Sequence, residues 1–278
     1  MLKKRVITAL CGIPLVIVAV WFDEPIVWFT VLAAVFGAAG VWEFYRLAGV
    51  FKIVPLAIFG VIFTLLLIIY PHIDYSLNLP PASLVLTGSV LLSLILLLFL
   101  PKKEGLFIHW AGMMAGMLYI GWMLSFLVTL RLEPGTVAFP EAGRNFLFLA
   151  LFATFGSDTA AFFIGKAFGR HKLAPQISPG KTWEGVIAGV AGGIIISLLF
   201  TLDTSLQLPL RWWQAILLGL AISVFGQAGD LVESLLKRNY GVKDSGSLMP
   251  GHGGILDRMD SLLFAGVVVY LYYILAVA

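Results

Sequence analysis

Six carboxylates of this chain lie in or beside long apolar runs: Asp158, Glu184, Asp230, Glu233, Asp257 and Asp260. A charge at the bilayer centre costs about 2.5–3.5 kcal/mol on insertion scales, so such groups face a bundle interior and have a partner there. Asp230 and Glu233 are three positions apart, as are Asp257 and Asp260, which puts each pair on one helix face. Between the pairs lie Lys237, Arg238, Lys243, Asp244 and His252, and Arg258 follows. Carboxylate oxygens suit a hard divalent cation, and the cations beside them suit phosphate. Gly251, Gly253 and Gly254 bracket His252 just before an expected helix start, where backbone amides can approach an anion. A second polar stretch, Ser178-Pro179-Gly180-Lys181-Thr182, also precedes an apolar segment, without the GxxxxGK[ST] spacing of a P-loop. Each feature has a plainer alternative. The carboxylates could pair structurally with Lys237 and Arg258, Lys181 could be a solvated lysine after a cap, and His252 could simply order its loop. GxSxG, HExxH and Cys/His clusters are absent, so esterase and zinc chemistry are excluded.

The elements that must position these residues are membrane spans. Of 278 residues, 60% are hydrophobic and 12% charged, and the mean hydropathy is +0.99. Soluble domains are about 45–50% apolar and 25% charged. The expected fold is therefore an all-α polytopic helical membrane protein. Runs of about 20 apolar residues place nine spans near 6–22, 26–47, 53–71, 83–100, 107–130, 145–167, 184–202, 212–232 and 258–277. Proline residues, Pro71 among them, punctuate the loops. The basic start followed by an apolar run is read as a retained first span, since no small-x-small cleavage site follows it. With the N-terminus cytoplasmic, the inner segments hold groups of three, two, two, four and four Lys or Arg, against Arg131, Arg144 and Arg211 outside. This bias fits the positive-inside rule and puts the C-terminus outside. It also puts both polar loops, 166–183 and 233–257, on the cytoplasmic side, with Asp230 closing span eight and Asp257 opening span nine. Glu43 and Arg46 are expected as a pair at the rim of span two, or as a headgroup contact. The chain is read as one integral membrane domain, with an N-terminal helical part of about 1–140 and a catalytic part of about 141–278. An ion-coupled carrier is the rival class, because acidic residues in glycine-rich helices also suit transport. Against it, spans three to five are almost wholly apolar.

The run from Ser234 to Asp260 reads S-x-x-K-R-x4-K-D-x-G-x3-P-x-H-G-G-x-x-D-R-x-D. Together with GSDTAAFFIGKAFGRHKLAPQISPGKTWEG and GQAGDLVESLLKR, it resembles the signature of bacterial phosphatidate cytidylyltransferases (CDP-diglyceride synthases). The likeness is strong over the C-terminal half and rests on span pattern in the N-terminal half. Met249 and Ser157-Asp158-Thr159 are slight departures from that family's usual residues.

The resemblance implies transfer of the cytidylyl group of CTP to phosphatidate, giving CDP-diacylglycerol and pyrophosphate with Mg²⁺. A monovalent companion such as K⁺ and a homodimer are implied in the same way, as is a bacterial cytoplasmic (inner) membrane location among membrane lipids. No nucleic-acid partner is expected. Asp230 and Asp257 are the expected metal ligands, and both are grouped with Lys243 and Asp244 as catalytic residues. Ser178, Lys181, Lys237, Arg238, His252, Gly253 and Arg258 are the expected substrate contacts. Asp158, Glu233 and Asp260 are expected to support them from behind.

Overall fold

The computed structural model describes the chain except residues 1, 23–26, 78–81, 102–104, 250–252 and 278, and gives only backbone for 2–11 and 74–77. The described residues are mostly helical. In order they form α1 (Leu2–Trp21), α2 (Trp28–Leu47), a 3₁₀ turn at Val50–Lys52, α3 (Val54–Leu77), α4 (Ala82–Leu98) and α5 (Leu106–Gly116). A π-helical segment, Met117–Trp122, leads into α6 (Met123–Leu132). Then follow α7 (Ala142–Phe168), β1 (Lys172–Ala174), β2 (Ser178–Thr182), α8 (Trp183–Leu199), α9 (Trp212–Asn239) and α10 (Leu256–Ala276). Among the described residues, six helical stretches are long and apolar enough to cross a membrane: Trp28–Leu47, Val54–Ile73, Leu106–Leu132, Ala142–Phe168, Trp212–Asn239 and Leu256–Ala276. Gly12–Trp21, Ala82–Leu98 and Trp183–Leu199 are apolar but shorter. The chain is thus an all-α polytopic membrane protein in class.

Three local expectations are corrected. Pro71 lies inside α3 rather than in a loop, because the preceding 17 residues of an unbroken apolar helix outweigh one lost backbone donor near its end. The polar stretch 166–183 is not all loop: β1 and β2 pair antiparallel, with Lys172 opposite Thr182 and Ala174 opposite Ser178. Finally, α9 runs on to Asn239, so Asp230 sits inside the helix instead of closing it. Leu231, Val232, Leu235 and Leu236 continue the helical spacing there, and Glu233 pairs with Lys237 four positions on.

The chain divides into two compact units. The first comprises residues 1–132 and 244–257. Its core closes on Tyr45, which is fully buried and donates its hydroxyl to the Met113 carbonyl at 2.9 Å. Close approach of the helices here depends on small residues: a Cβ on Gly60 would stand 2.2 Å from the Tyr45 hydroxyl, and one on Gly116 2.6 Å from its ring. The Trp110 indole donates to Ser93 Oγ at 2.9 Å, tying α5 to α4.

The second unit comprises residues 133–243 and 258–278. Here α7 and α8 meet along a seam of small residues. A Cβ on Gly192 would lie 2.8 Å from Ala160 Cβ and 2.9 Å from the Gly156 carbonyl oxygen, and one on Gly185 2.9 Å from the Ala161 oxygen. The next seam, α8 against α9, brings Gly193 and Gly219 together with Ser223, whose hydroxyl donates to the Gly219 carbonyl at 2.8 Å. Gly229 of α9 leaves no room beside Asp260 and Phe264 of α10. Thr182 ends β2 and caps α8, its hydroxyl accepting from the Gly185 amide at 3.2 Å.

Candidate active site

Within the second unit the polar side chains gather where α9 passes the β-hairpin. Lys181, on β2, reaches Asp230 Oδ2 at 2.8 Å and donates to the Gln227 carbonyl at 3.3 Å. Asp230 Oδ1 accepts from the Ser234 hydroxyl one turn on, at 3.3 Å. Arg238 donates from Nε to the Ile177 carbonyl at 3.1 Å and from Nη1 to the Val242 carbonyl at 3.2 Å. One guanidinium thereby ties the hairpin turn to the end of α9, which requires the planar fork of an arginine. Ser178 opens β2 and is half-buried. His171 and Glu184 pair at 2.7 Å across the base of the hairpin, so His171 meets a carboxylate as well as its basic neighbours.

Asp158 of α7, Asp230 and Asp260 are near enough to interact as like charges, with Arg258 and Lys181 near Asp158 as compensating cations. Asp260 is 8% exposed, and one of its oxygens accepts from the Ser261 amide at 2.8 Å. Glu233 is fully buried and pairs with Lys237, so the structural salt bridge weighed for that pair is present. Lys243 and Arg258 are exposed.

The first unit holds the other half of the signature. Asp257 accepts at Oδ2 from the Gly254 amide at 2.7 Å, the Ser245 amide at 3.1 Å and the Ser245 hydroxyl at 3.1 Å. Its Oδ1 also lies 3.3 Å from the Ser245 amide. Two backbone amides, with the Ser245 hydroxyl shared with Glu43, therefore orient this carboxylate at the start of α10, where the helix dipole favours an anion. Gly253 has φ +84°, a left-handed conformation suited to glycine, and its Cα faces Asp257 Oδ2. Asp244 is exposed. His252, expected to contact substrate, lies outside the described residues.

Spacing offered Glu43 as a rim pair with Arg46 or as a headgroup contact, not as a partner of the 244–257 segment. It is 2% exposed, not at a rim. Its Oε2 accepts from the Ser245 hydroxyl at 2.9 Å and from the Leu256 amide at 3.0 Å. A carboxylate inside an apolar span, near its end, was the available signal.

The carboxylates of Asp230 in the second unit and of Asp257 in the first each have the donor chemistry of a hard-cation ligand, and against Asp230 an ammonium already stands where a metal would compete. Among the described residues, no three His, Cys, Asp or Glu side chains gather closely enough to form a metal cluster.

The chain is similar to proteins of known name. It is 43% identical over 159 residues to a Bacillus subtilis phosphatidate cytidylyltransferase, covering 57% of this chain and 55% of that one. It is 37% identical over 193 residues to the Staphylococcus haemolyticus phosphatidate cytidylyltransferase, covering 69% and 68%. It is 42% identical over 162 residues to the Brucella suis phosphatidate cytidylyltransferase, covering 57% and 55%. The matched part thus spans little more than half of the Bacillus and Brucella relatives. The sequence profile of the cytidylyltransferase family matches residues 3–276, nearly end to end, and the chain belongs to that family.

Proposed function

We propose that this protein transfers the cytidylyl group of CTP to phosphatidate, releasing pyrophosphate and leaving CDP-diacylglycerol in the membrane. What carries the proposal is the family match over residues 3–276, in a membrane chain whose polar side chains gather on the hairpin, the end of α9 and the start of α10.

The transfer is an in-line displacement. An oxygen of the phosphatidate phosphate forms a bond to the α-phosphorus of CTP, and the bond from that phosphorus to the bridging oxygen of pyrophosphate breaks. The attacking oxygen is already anionic, so no protein nucleophile is needed. The protein's work is positioning and charge neutralisation. Asp230 and Asp257 would hold Mg²⁺, with a monovalent ion such as K⁺ as a companion. Such a metal supplies charge neutralisation and alignment of the attacking and leaving oxygens. Lys181, Lys243 and Arg258 neutralise phosphate oxygens, and Asp244 orients these cations. Arg238 holds the hairpin that presents Ser178 and Lys181, supported by its two carbonyl contacts. Gly253 opens backbone space at the anion-facing turn. Asp158, Glu233 and Asp260 set the charge around Asp230 and Lys237.

Six long and three shorter apolar helices among the described residues, with the bias of Lys and Arg, support nine spans, a cytoplasmic N-terminus and an outer C-terminus. The site then faces the cytosol from a bacterial inner membrane, where CTP arrives in solution and phosphatidate in the leaflet. The part from about 141 onward carries most of the chemistry, and the protein works as a homodimer.

The test uses purified protein in mixed phosphatidate micelles with Mg²⁺ and radiolabelled CTP. Label should enter the lipid phase with CTP but not with ATP or GTP, and should fail to do so in Asp257→Asn. No lipid-phase label from folded wild-type protein would overturn the proposal and favour the carrier class.

A further inference from the structure

The loop that carries Asp257 is held by a side chain more than 200 residues away in sequence. Glu43, near the end of α2, reaches the residues on both sides of this loop. Oε2 accepts from the Ser245 hydroxyl at the loop's start and from the Leu256 amide at its end. The Leu256 amide is one of the donors that a helix start leaves without an intrahelical acceptor, so Glu43 caps α10 from another element.

Two glycines lie flat against the same carboxylate. A Cβ on Gly246 would stand 2.3 Å from Glu43 Oε1, and a Cβ on Gly254 2.3 Å from Oε2 and 2.0 Å from Ser245 Oγ. The second glycine of the H-G-G run is thus glycine because Glu43 and Ser245 occupy the space where a side chain would go. Glu43 Oε1 has no hydrogen-bond donor among the described residues and is buried. Burying a carboxylate this deeply is costly unless its remaining contacts repay the desolvation, which argues against a passive surface charge that happened to turn inward.

The same groups serve Asp257. Ser245 has one hydroxyl proton and stands 2.9 Å from Glu43 Oε2 and 3.1 Å from Asp257 Oδ2. Gly254 has no room for a Cβ beside Glu43 and donates its amide to Asp257 at 2.7 Å. A shift of the Glu43 carboxylate therefore moves the two residues that aim Asp257.

We infer that Glu43 is a positioning residue for the cytidylyl transfer: through Ser245, Gly254 and the Leu256 amide it fixes the orientation of the Asp257 carboxylate. This rests on the proposed role of Asp257 as a metal ligand. Glu43 itself touches neither nucleotide nor lipid. Removing groups that orient metal ligands lowers affinity or activity about 10–100-fold.

The test compares wild type, Glu43→Gln, Gly254→Ala and, as a control in open space on α4, Gly88→Ala. Kinetics with CTP and phosphatidate are read beside the Mg²⁺ concentration for half-maximal rate, the thermal midpoint and amide exchange of the 244–257 segment. For Glu43→Gln and Gly254→Ala, kcat should fall about 10–100-fold and the Mg²⁺ requirement should rise. The KM for phosphatidate should stay within about twofold, since no lipid contact is lost, and exchange at Ser245, Gly254 and Leu256 should quicken. Gly88→Ala should match wild type. A fall in kcat that follows only the loss of folded protein, with the Mg²⁺ requirement unchanged, would overturn the inference. So would unchanged exchange in Glu43→Gln. If wild type itself makes no lipid-linked cytidylate, the functional proposal falls, and the exchange comparison still decides whether Glu43 holds the loop.

Discussion

Replacing Lys181 with methionine should move two affinities in opposite directions. In the structure its ammonium sits 2.8 Å from Asp230 Oδ2, with side chains 20% and 36% exposed. Two unit charges at that distance attract by about 6 kcal/mol at an effective dielectric of about 20. Solvent screening of these half-open groups and the cost of ordering them leave about 0.5–1 kcal/mol, or roughly a two- to fivefold effect. A divalent ion binding Asp230 must displace that ammonium, so Lys181→Met removes a competitor. Without nucleotide, the Mg²⁺ midpoint for thermal stabilisation should fall about two- to fivefold. With nucleotide, the freed ammonium is no longer available to a phosphate. A charge-assisted contact is worth about 1.5–3 kcal/mol, so kcat/KM for CTP should fall about 10–150-fold. Lys181→Arg keeps the charge and should recover part of the loss. The assays are a thermal-shift titration with Mg²⁺ alone and initial rates with radiolabelled CTP. A Mg²⁺ midpoint and a kcat/KM both unchanged in Lys181→Met would refute the exchange of partners. A weakened Mg²⁺ midpoint would show that the lysine supports the metal rather than competing with it.

The remaining expectations concern the carboxylates, the buried pair and the helix seam. Asp230→Asn and Asp257→Asn should each lose at least about 100-fold in kcat while keeping their elution profile in detergent; Mg²⁺-dependent turnover near wild type would remove them from the metal site. Lys237→Met leaves the fully buried Glu233 without its ammonium neighbour and should destabilise by about 3–5 kcal/mol, read as a lower thermal midpoint. Adding Glu233→Gln should restore most of that stability. If the double variant also recovers full kcat/KM, Lys237 is a structural cation and not a phosphate contact. Gly192→Ala drives a Cβ toward the Gly156 carbonyl oxygen and should cost about 1–3 kcal/mol by forcing α7 and α8 apart, whereas Gly88→Ala should be neutral or slightly stabilising.

Helices and site were legible in the sequence to different depths, for physical reasons. Apolar runs of membrane length placed helices close to where they lie, as α2 and α7 illustrate, because hydrophobic length is a property of consecutive residues. Ends were less legible. Past Asp230 the run turns polar, yet the Glu233–Lys237 pair neutralises it from within and lets α9 continue to Asn239. The hairpin at 172–182 escaped notice because its strands are of three and five residues with polar faces and no alternating apolar pattern. Arg238 was legible as a cation, but not as the tie between the hairpin turn and the end of α9, which only the fold brings together. Glu43 was hidden for the same reason: its partners Ser245 and Leu256 are 202 and 213 positions away.

The polar residues of this chain fall into two groups, and the division bears on how a charged site persists in an apolar protein. Glu43, Glu233 and Asp260 are buried, and each is met inside its own unit: by a serine hydroxyl and a helix-start amide, by a lysine one turn away, and by a backbone amide. Such groups cannot exchange partners cheaply, because an uncompensated charge there costs several kcal/mol. Lys243, Asp244 and Arg258 are exposed, and the Lys181–Asp230 pair is half-open. These can trade one partner for another at little net cost, since solvent already shares their charge. A polyphosphate arriving from solution needs partners of the second kind, while a fixed carboxylate geometry needs supports of the first. Asp257 belongs with the rigid group. Its oxygens accept from Ser245 and Gly254, which lie against buried Glu43, so inside the first unit the buried carboxylate sets the geometry of the half-buried one. A substitution at Glu43 should therefore alter kcat and metal requirement before substrate KM, and one at exposed Lys243 or Arg258 should do the reverse.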